Sequence, residues 1–540
     1  MSLLRNQRGG PVVLGLAAVA AAATIALAAD PDARQILEAT GVQGGLVVHL
    51  GCGDGKLTAA LRSNDRYLVH GLARDAANLP TAREHIRHLG LYGEVSVEHW
   101  TGERLPYADN LVNLLVSQDL GKTGMDEVRR VLAPGGVAYV RTAGTWAATV
   151  KPWPQEIDEW THFLHDAANN AVAHDALVGP PRHMQWVAKP LWLRSHETES
   201  GISALVSARG RVFYILDEGL IGIVDERLPC TWSLVARDAF NGVQLWKRPL
   251  PQWGWREWKR EALEGKDLTQ IRARRTGFPA QLARRLVAEG DRVFVTLGYR
   301  APLTILDAAT GEAVRTCEGT QGADEILCSR GIVVLCARDT STQQAGQRGD
   351  TTPERLLAIK ADSGQVLWDK HTRRIPPLAL AVRGERLFVH DSDAAVCLNL
   401  KTGEQVWRTP EKLGRGGTLV VHQDVVLISG PASLQAFSAT TGKPLWTNKA
   451  PVERGASSQD LFVADGLVWR GLSGVGLAPL TGEPKRQVTA KNLRSVGHHH
   501  RCYRGKATDR YLMSAQEGIE FLDIQGNGHS RNNWLRGACK

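Results

Sequence analysis

The stretch Cys397–Thr409, "CLNLKTGEQVWRT", runs from a short apolar strand into a turn that ends in Gly403, with Trp407 four residues beyond it. The same figure recurs as "ARDAFNGVQLWKR" (Ala236–Arg248), "AIKADSGQVLWDK" (Ala358–Lys370) and "AFSATTGKPLWTN" (Ala436–Asn448). Turn glycines fall at Gly242, Gly311, Gly364, Gly403, Gly442, Gly482 and Gly526; from Gly364 to Gly482 the separations are 39, 39 and 40 residues. A period near forty with several short strands per unit is the signature of a β-propeller.

Working outward, each unit carries an upstream strand: "RVFYIL" at 211, "RVFVTL" at 292, "IVVLCA" at 332, "RLFVHD" at 386, "VVLISG" at 425, "LVWRGL" at 467 and "RYLMSA" at 510. Seven units are visible. The wider intervals, 69 residues from Gly242 to Gly311 and 53 from there to Gly364, hold the insertions "WGWREWKREALEGKD" and "DTSTQQAGQRGDTTPER". These repeats resemble the pyrroloquinoline-quinone (PQQ) type of propeller, in which a Trp from each repeat packs between neighbouring blades. That resemblance makes Trp246, Trp368, Trp407 and Trp446 the inter-blade wedges. PQQ dehydrogenases set adjacent cysteines against the quinone and use acidic and amide ligands for calcium. No Cys-Cys pair occurs here, so PQQ is not expected as a cofactor, and the repeats are closer to the non-catalytic lipoprotein propeller of outer-membrane protein assembly. A protein partner at a propeller face is what that branch implies. Ring closure has two readings: "MQWVAKPLW" (Met184–Trp192) supplies a missing strand, or the chain is a piece of a longer, eight-bladed parent, the reading favoured here.

Upstream of the repeats the grammar changes. Between residues 35 and 145, apolar runs at 46–50, 67–72, 95–100, 112–116 and 137–140 alternate with helical patterns at 57–62, 76–89 and 125–132, which predicts a parallel sheet with helices on its faces. "VVHLGCGDGKL" (Val47–Leu57) opens it as a strand, a G-x-G-x-G turn and a helix; tight strand-to-helix turns need glycine for backbone reasons alone. With "VHGLARDAANLPTAREHI", "GERLPYADNLVNLLV" and "EVRRVLAPGGVAYV" following in order, the segment resembles a shortened, Rossmann-like class I S-adenosylmethionine-dependent methyltransferase. On that resemblance Gly51, Gly53 and Gly55 approach the cofactor. Four positions that carry acids in the family hold His49, Ala73, Thr101 and Asn113 instead. The carboxylate at the end of the second strand grips the ribose hydroxyls, so Asp75 and Glu103 are the residues left to substitute for it. The closing antiparallel strands of the family are expected to be missing, because after Val140 the chain passes directly to "TWAATVKPWPQEIDEW".

Arg5 and Arg8 precede the apolar run Pro11–Leu27, with Ala26-Leu27-Ala28 before Ala29-Asp30. This order predicts a secretory signal over residues 1–29 and export to the periplasm or cell envelope; an uncleaved signal would be the only membrane attachment. The expected domains are therefore residues 30–150, a linker at 151–180, and a propeller from 181 to 540. The net charge of +9 on 540 residues has no dense Lys/Arg block, so a generic basic surface is expected rather than nucleic-acid binding. Eight scattered cysteines exclude a disulfide scaffold or zinc ribbon, with Cys328–Cys336 the one pairing worth considering. The histidines of "EIDEWTHFLHDAANNAVAHD" (Glu159, His162, His165) drift around a helix and predict a capped, solvated linker helix; "GHHHRC" (497–502) reads as a surface loop, so no metal site is expected. Three functions follow: methyl transfer, a non-catalytic envelope binding or scaffold role for the propeller, and PQQ-dependent oxidation.

Overall fold

The computed structural model describes residues 31–189, 201–219, 231–258, 280–338, 354–391, 393–410, 417–430, 433–449, 460–471, 474–488, 504–514, 519–526 and 528–532. The predicted signal, the histidine run at 498–500 and most of both insertions lie outside them.

The first domain is a six-stranded sheet made of β1 (Gly45–Leu50), β2 (Tyr67–Ala73), β3 (Val95–His99), β4 (Val112–Ser117), β5 (Leu132–Thr142) and β6 (Thr145–Val150). Their order is β3-β2-β1-β4-β5-β6. The first five are parallel. Helices α1 (Ala33–Thr40), α2 (Lys56–Ala60), α3 (Leu79–His88) and α4 (Met125–Val131) accompany them. Every residue of β1 is buried, as a central strand covered on both faces requires. The order reverses between β1 and β4, which puts the topological switch point at the glycine turn. β6 corrects one expectation: an antiparallel strand does close the sheet, paired with β5 through a turn at Ala143-Gly144, both at positive φ. Trp146 of β6 stacks on Tyr139 at 5.1 Å.

The repeats form seven sheets among the described residues, hereafter blades 1 to 7, over 202–249, 286–317, 323–372, 380–410, 419–448, 461–487 and 506–532. Each has four antiparallel strands in sequence order, and the inner strand of each packs against that of the next. The wedge tryptophans share one geometry. Trp246, Trp368, Trp407 and Trp446 lie on outer strands, and each indole N–H donates to a carbonyl in the next blade: Ala308, Leu400, Ala439 and Pro479, at 2.8–3.0 Å. Each ring also lies against the following turn glycine, where a Cβ would come within 2.6–2.7 Å of it. Gly311, Gly403, Gly442 and Gly482 are therefore needed twice, for positive φ and for the approach of the indole. Blade 1 receives the same wedge from upstream: Trp186 donates to the Ala239 carbonyl at 3.0 Å and sits against Gly242. No strand is formed over 181–189, but this residue takes the place of an outer-strand tryptophan. Between blades 2 and 3 the wedge is Arg315, lying against Gly364.

Residues 158–174 overturn the linker-helix expectation. They are irregular chain running along the propeller axis, apart from Val172–Ala173, which pairs in parallel with the inner strand of blade 7. His162, Leu164, His165 and the run 167–172 are buried. Cys328 and Cys336 form no disulfide with each other: they lie on neighbouring strands but out of register.

The two domains meet through the amino-terminal ends of the sheet strands. Asn113, the second residue of β4, accepts from the Leu46 N–H (2.8 Å) and from Asn241 Nδ2 (2.7 Å), and donates to the Asp238 carboxylate of blade 1 at 2.7 Å. Trp153 meets Phe240 edge-on, 5.9 Å between centroids.

Candidate functional site

Because the propeller covers the amino-terminal ends of the strands, the carboxyl ends are left outward, where open α/β sheets bind their ligands. Gly51, Gly53 and Gly55 form the turn there with φ of +86°, +51° and +79°, conformations that disfavour any side chain. Beside Gly51 and Gly53 a Cβ would meet nothing within 4 Å, so the turn offers open backbone, whereas Gly55 packs on Ala82.

The side chains around the turn are another matter. Ala73 ends β2 fully buried, 1% exposed, and presents no polar group. Asp75, two residues on, caps a short 3-10 turn by accepting the Ala77 N–H at 2.9 Å, and Glu103 stands exposed in the loop after β3. Arg74 reaches from the end of β2 to Asp119, beyond the end of β4; it donates to the Asp119 carbonyl and lies 3.5 Å from its carboxylate. Since β1 lies between those two strands, the guanidinium spans the end of the switch-point crevice. His49 in β1 is buried under α2 with Nδ1 2.8 Å from Thr58 Oγ1, and burial pushes its pKa down to about 4, so it is neutral and internal.

The second place a ligand could occupy is the propeller axis, and there the chain itself is seated. His162 Nε2 accepts the Cys328 N–H at 3.0 Å; Nδ1 therefore carries the proton and faces Thr161 Oγ1 at 2.7 Å. Complete burial pushes the His162 pKa down to about 3. Asp158 is partly buried, which opposes ionisation, yet His165 Nε2 at 2.8 Å and the His174 N–H at 2.6 Å hold it down to about 2. Sequence reasoning missed this segment. The available signal was the cluster of small and amide residues, Ala167 to Ala171, which suits a narrow channel better than a solvated helix. Among the described residues no group of three His, Cys, Asp or Glu could hold a metal ion. No helix among them is long and apolar enough to cross a membrane.

A switch-point sheet joined to a ring of four-stranded blades defines the class: a Rossmann-like domain followed by a propeller. Comparison with known proteins makes this specific. A methyltransferase-domain family model matches residues 47–136, and the model for outer membrane protein assembly factor BamB matches residues 231–396 and 352–495. BamB of Burkholderia pseudomallei (strain K96243) is 26% identical over 277 residues, covering 43% of this chain and 72% of that protein. Among solved structures, BamB of Moraxella catarrhalis matches with a TM-score of 0.35 and 15% identity, over 61% of this chain and 92% of that one. A structure from Methanococcus maripaludis described as an S-adenosyl-L-methionine-dependent methyltransferase matches with a TM-score of 0.19 and 23% identity, over 20% of this chain; the chain spans 52%, about half, of its length. The protein is a methyltransferase-like domain fused to a BamB- and PQQ-like propeller.

Proposed function

We propose that this protein is a non-catalytic binding scaffold of the cell envelope, in which the propeller presents its faces to a protein partner and the α/β domain is a docked adaptor. The observation that carries this reading is the filled axis: the position open to a small ligand in a ring of blades is taken by the chain's own residues 158–174. The α/β crevice supports it. The residues present do not fit S-adenosylmethionine, because a buried Ala73 stands where a ribose-binding carboxylate is required and the Arg74 guanidinium faces a cofactor that is itself cationic at sulfur. Each missing charge-assisted contact is worth about 1.5–3 kcal/mol, and a micromolar site about 8 kcal/mol in all, so two such losses leave little affinity. An envelope location rests on the apolar run at 11–27 and on the similarity to an outer membrane protein assembly factor.

Two measurements on the full chain test the proposal. Photo-crosslinkers placed at the exposed outer-strand positions Val406 and Leu445 are expected to yield a discrete protein adduct in envelope fractions. Calorimetric titration with S-adenosylmethionine is expected to give no micromolar binding. Tight binding with methyl transfer, and no adduct from any rim position, would reject the scaffold in favour of an enzyme whose Asp75 or Glu103 has moved into the site.

A further inference from the structure

The seven blades raise a question of closure that their strands do not answer. A propeller is commonly sealed by a last blade built from both chain ends, but here all four strands of blade 1 come from 202–249 and the four antiparallel strands of blade 7 from 506–532. The axial segment contacts every blade, in order. The Trp160 carbonyl accepts from Ser207 of blade 1 (2.7 Å), Thr161 from Ala288 of blade 2 (3.0 Å), Ala167 from Val382 of blade 4 (2.7 Å), Ala168 from Val421 of blade 5 (3.0 Å) and Ala171 from Ala507 of blade 7 (2.9 Å). Side chains supply the rest. His162 Nε2 takes the Cys328 N–H of blade 3, and the Asn170 amide both accepts from and donates to Val463 of blade 6, at 2.8 and 3.0 Å. The residues used advance along the segment as the blades advance around the ring.

The geometry points to residues 158–174 as the clasp that closes the ring, binding the blades from the axis instead of through a shared strand. Trp160 makes the decisive link. Its backbone exchanges two hydrogen bonds with Ser207 of blade 1, while its ring lies 5.2 Å below the Lys506 ammonium of blade 7. Val172–Ala173 then adds a parallel strand to the inner edge of blade 7, so the clasp holds both sides of the seam. The binding-scaffold reading can fail without affecting this inference, which concerns only how the ring is held.

Native-state hydrogen exchange on full-length Trp160→Ala tests it. The expected result is at least about tenfold faster exchange, equivalent to 1.4 kcal/mol, throughout blades 1 and 7 including their outer strands, with Val382 and Val421 in blades 4 and 5 unchanged. A change confined to Ser207, or one spread evenly over all blades, would overturn it. A second test does not depend on that variant folding: a protease site is inserted after Gly179 in a chain carrying Asn113→Ala to loosen the domain docking, and the folded protein is cut. The clasp predicts that the two pieces elute together until denaturant is added; separation in native buffer would sink the idea.

Discussion

Replacing Trp368 with Ala should cost the protein about 4 kcal/mol at the seam between blades 3 and 4. The indole is 8% exposed, and a side chain of that size removes roughly 150–250 Å² from water, worth about 4–6 kcal/mol at 25 cal/mol per Å². Truncations of this kind are measured at about 3–5 kcal/mol because the cavity collapses only in part. The Leu400 carbonyl, which accepts the indole N–H at 2.9 Å, loses its partner as well, though water admitted to the gap recovers some of that term. Trp368→Phe separates the two contributions: the ring stays against Gly403 while the N–H is gone, and about 1–2 kcal/mol is expected. Because repeat arrays lose two-state cooperativity, the assay should pair thermal melting of the full chain with the rate of proteolysis in the connection 373–379. Unchanged melting of Trp368→Ala would refute the wedge assignment, and equal losses in the two variants would show that the hydrogen bond, not the buried ring, holds the seam.

Acid should weaken the propeller. His162 has a folded pKa near 3 against an ordinary value of 6.5, so the unfolded chain binds more protons between those limits; its contribution is full above pH 6.5 and is lost as pH falls, at up to about 1.4 kcal/mol per pH unit. His49, at about 4, acts with the same sign in the first domain; denaturant titrations from pH 7 to 4 should therefore show falling stability, with a shallower slope in His162→Gln. Gly442→Ala should be much costlier than Gly466→Ala, because both have φ near +70° but only the first would drive a methyl into the Trp407 ring at 2.6 Å; strain of about 1–2 kcal/mol is common to both, and melting curves should differ by a further 1–3 kcal/mol, roughly, from overpacking. Asn113→Asp should loosen the domains at neutral pH more than Asn113→Ala, since it replaces the amide donor to buried Asp238 with a second carboxylate; hydrogen exchange at Phe240 and Asn241 reads this, and acidification should narrow the gap between the variants.

The propeller was legible because its period is local: a glycine and a tryptophan four residues apart, restated every forty, carry both the turn and the seam. The parallel sheet was equally readable from its glycine turn and apolar runs. β6 was missed although Ala143-Gly144 is a tight-turn pair followed by "TWAATV", in which Trp146 alone faces inward; the hairpin signal was passed over for want of a continuous apolar run. The axial segment offered only the cluster of small and amide residues at 167–171 as a sign of burial, and nothing local to name its partners. Asn170 meets Val463 across 293 residues of chain, a pairing that no pattern of neighbouring residues encodes. Asn113 belongs to both cases: its departure from the family's acids was visible, but its reason, a carboxylate 125 residues away, was not.

Two seams among the described residues depart from the tryptophan pattern: Arg315 stands between blades 2 and 3, and Arg486 between blades 6 and 7. Where the outer strands of blades 1, 3, 4 and 5 insert a flat indole that donates to the next blade, blade 2 offers the aliphatic stem of a solvent-facing arginine and blade 6 an arginine that donates to the Ile524 carbonyl at 3.2 Å, neither with a buried ring to withdraw. In an array whose integrity is set by nearest-neighbour interfaces, strength is that of the weakest joint. A pull or a twist applied to the ring would therefore be concentrated at these two joints, which divide it into blades 3 to 6 on one side and blades 7, 1 and 2 on the other.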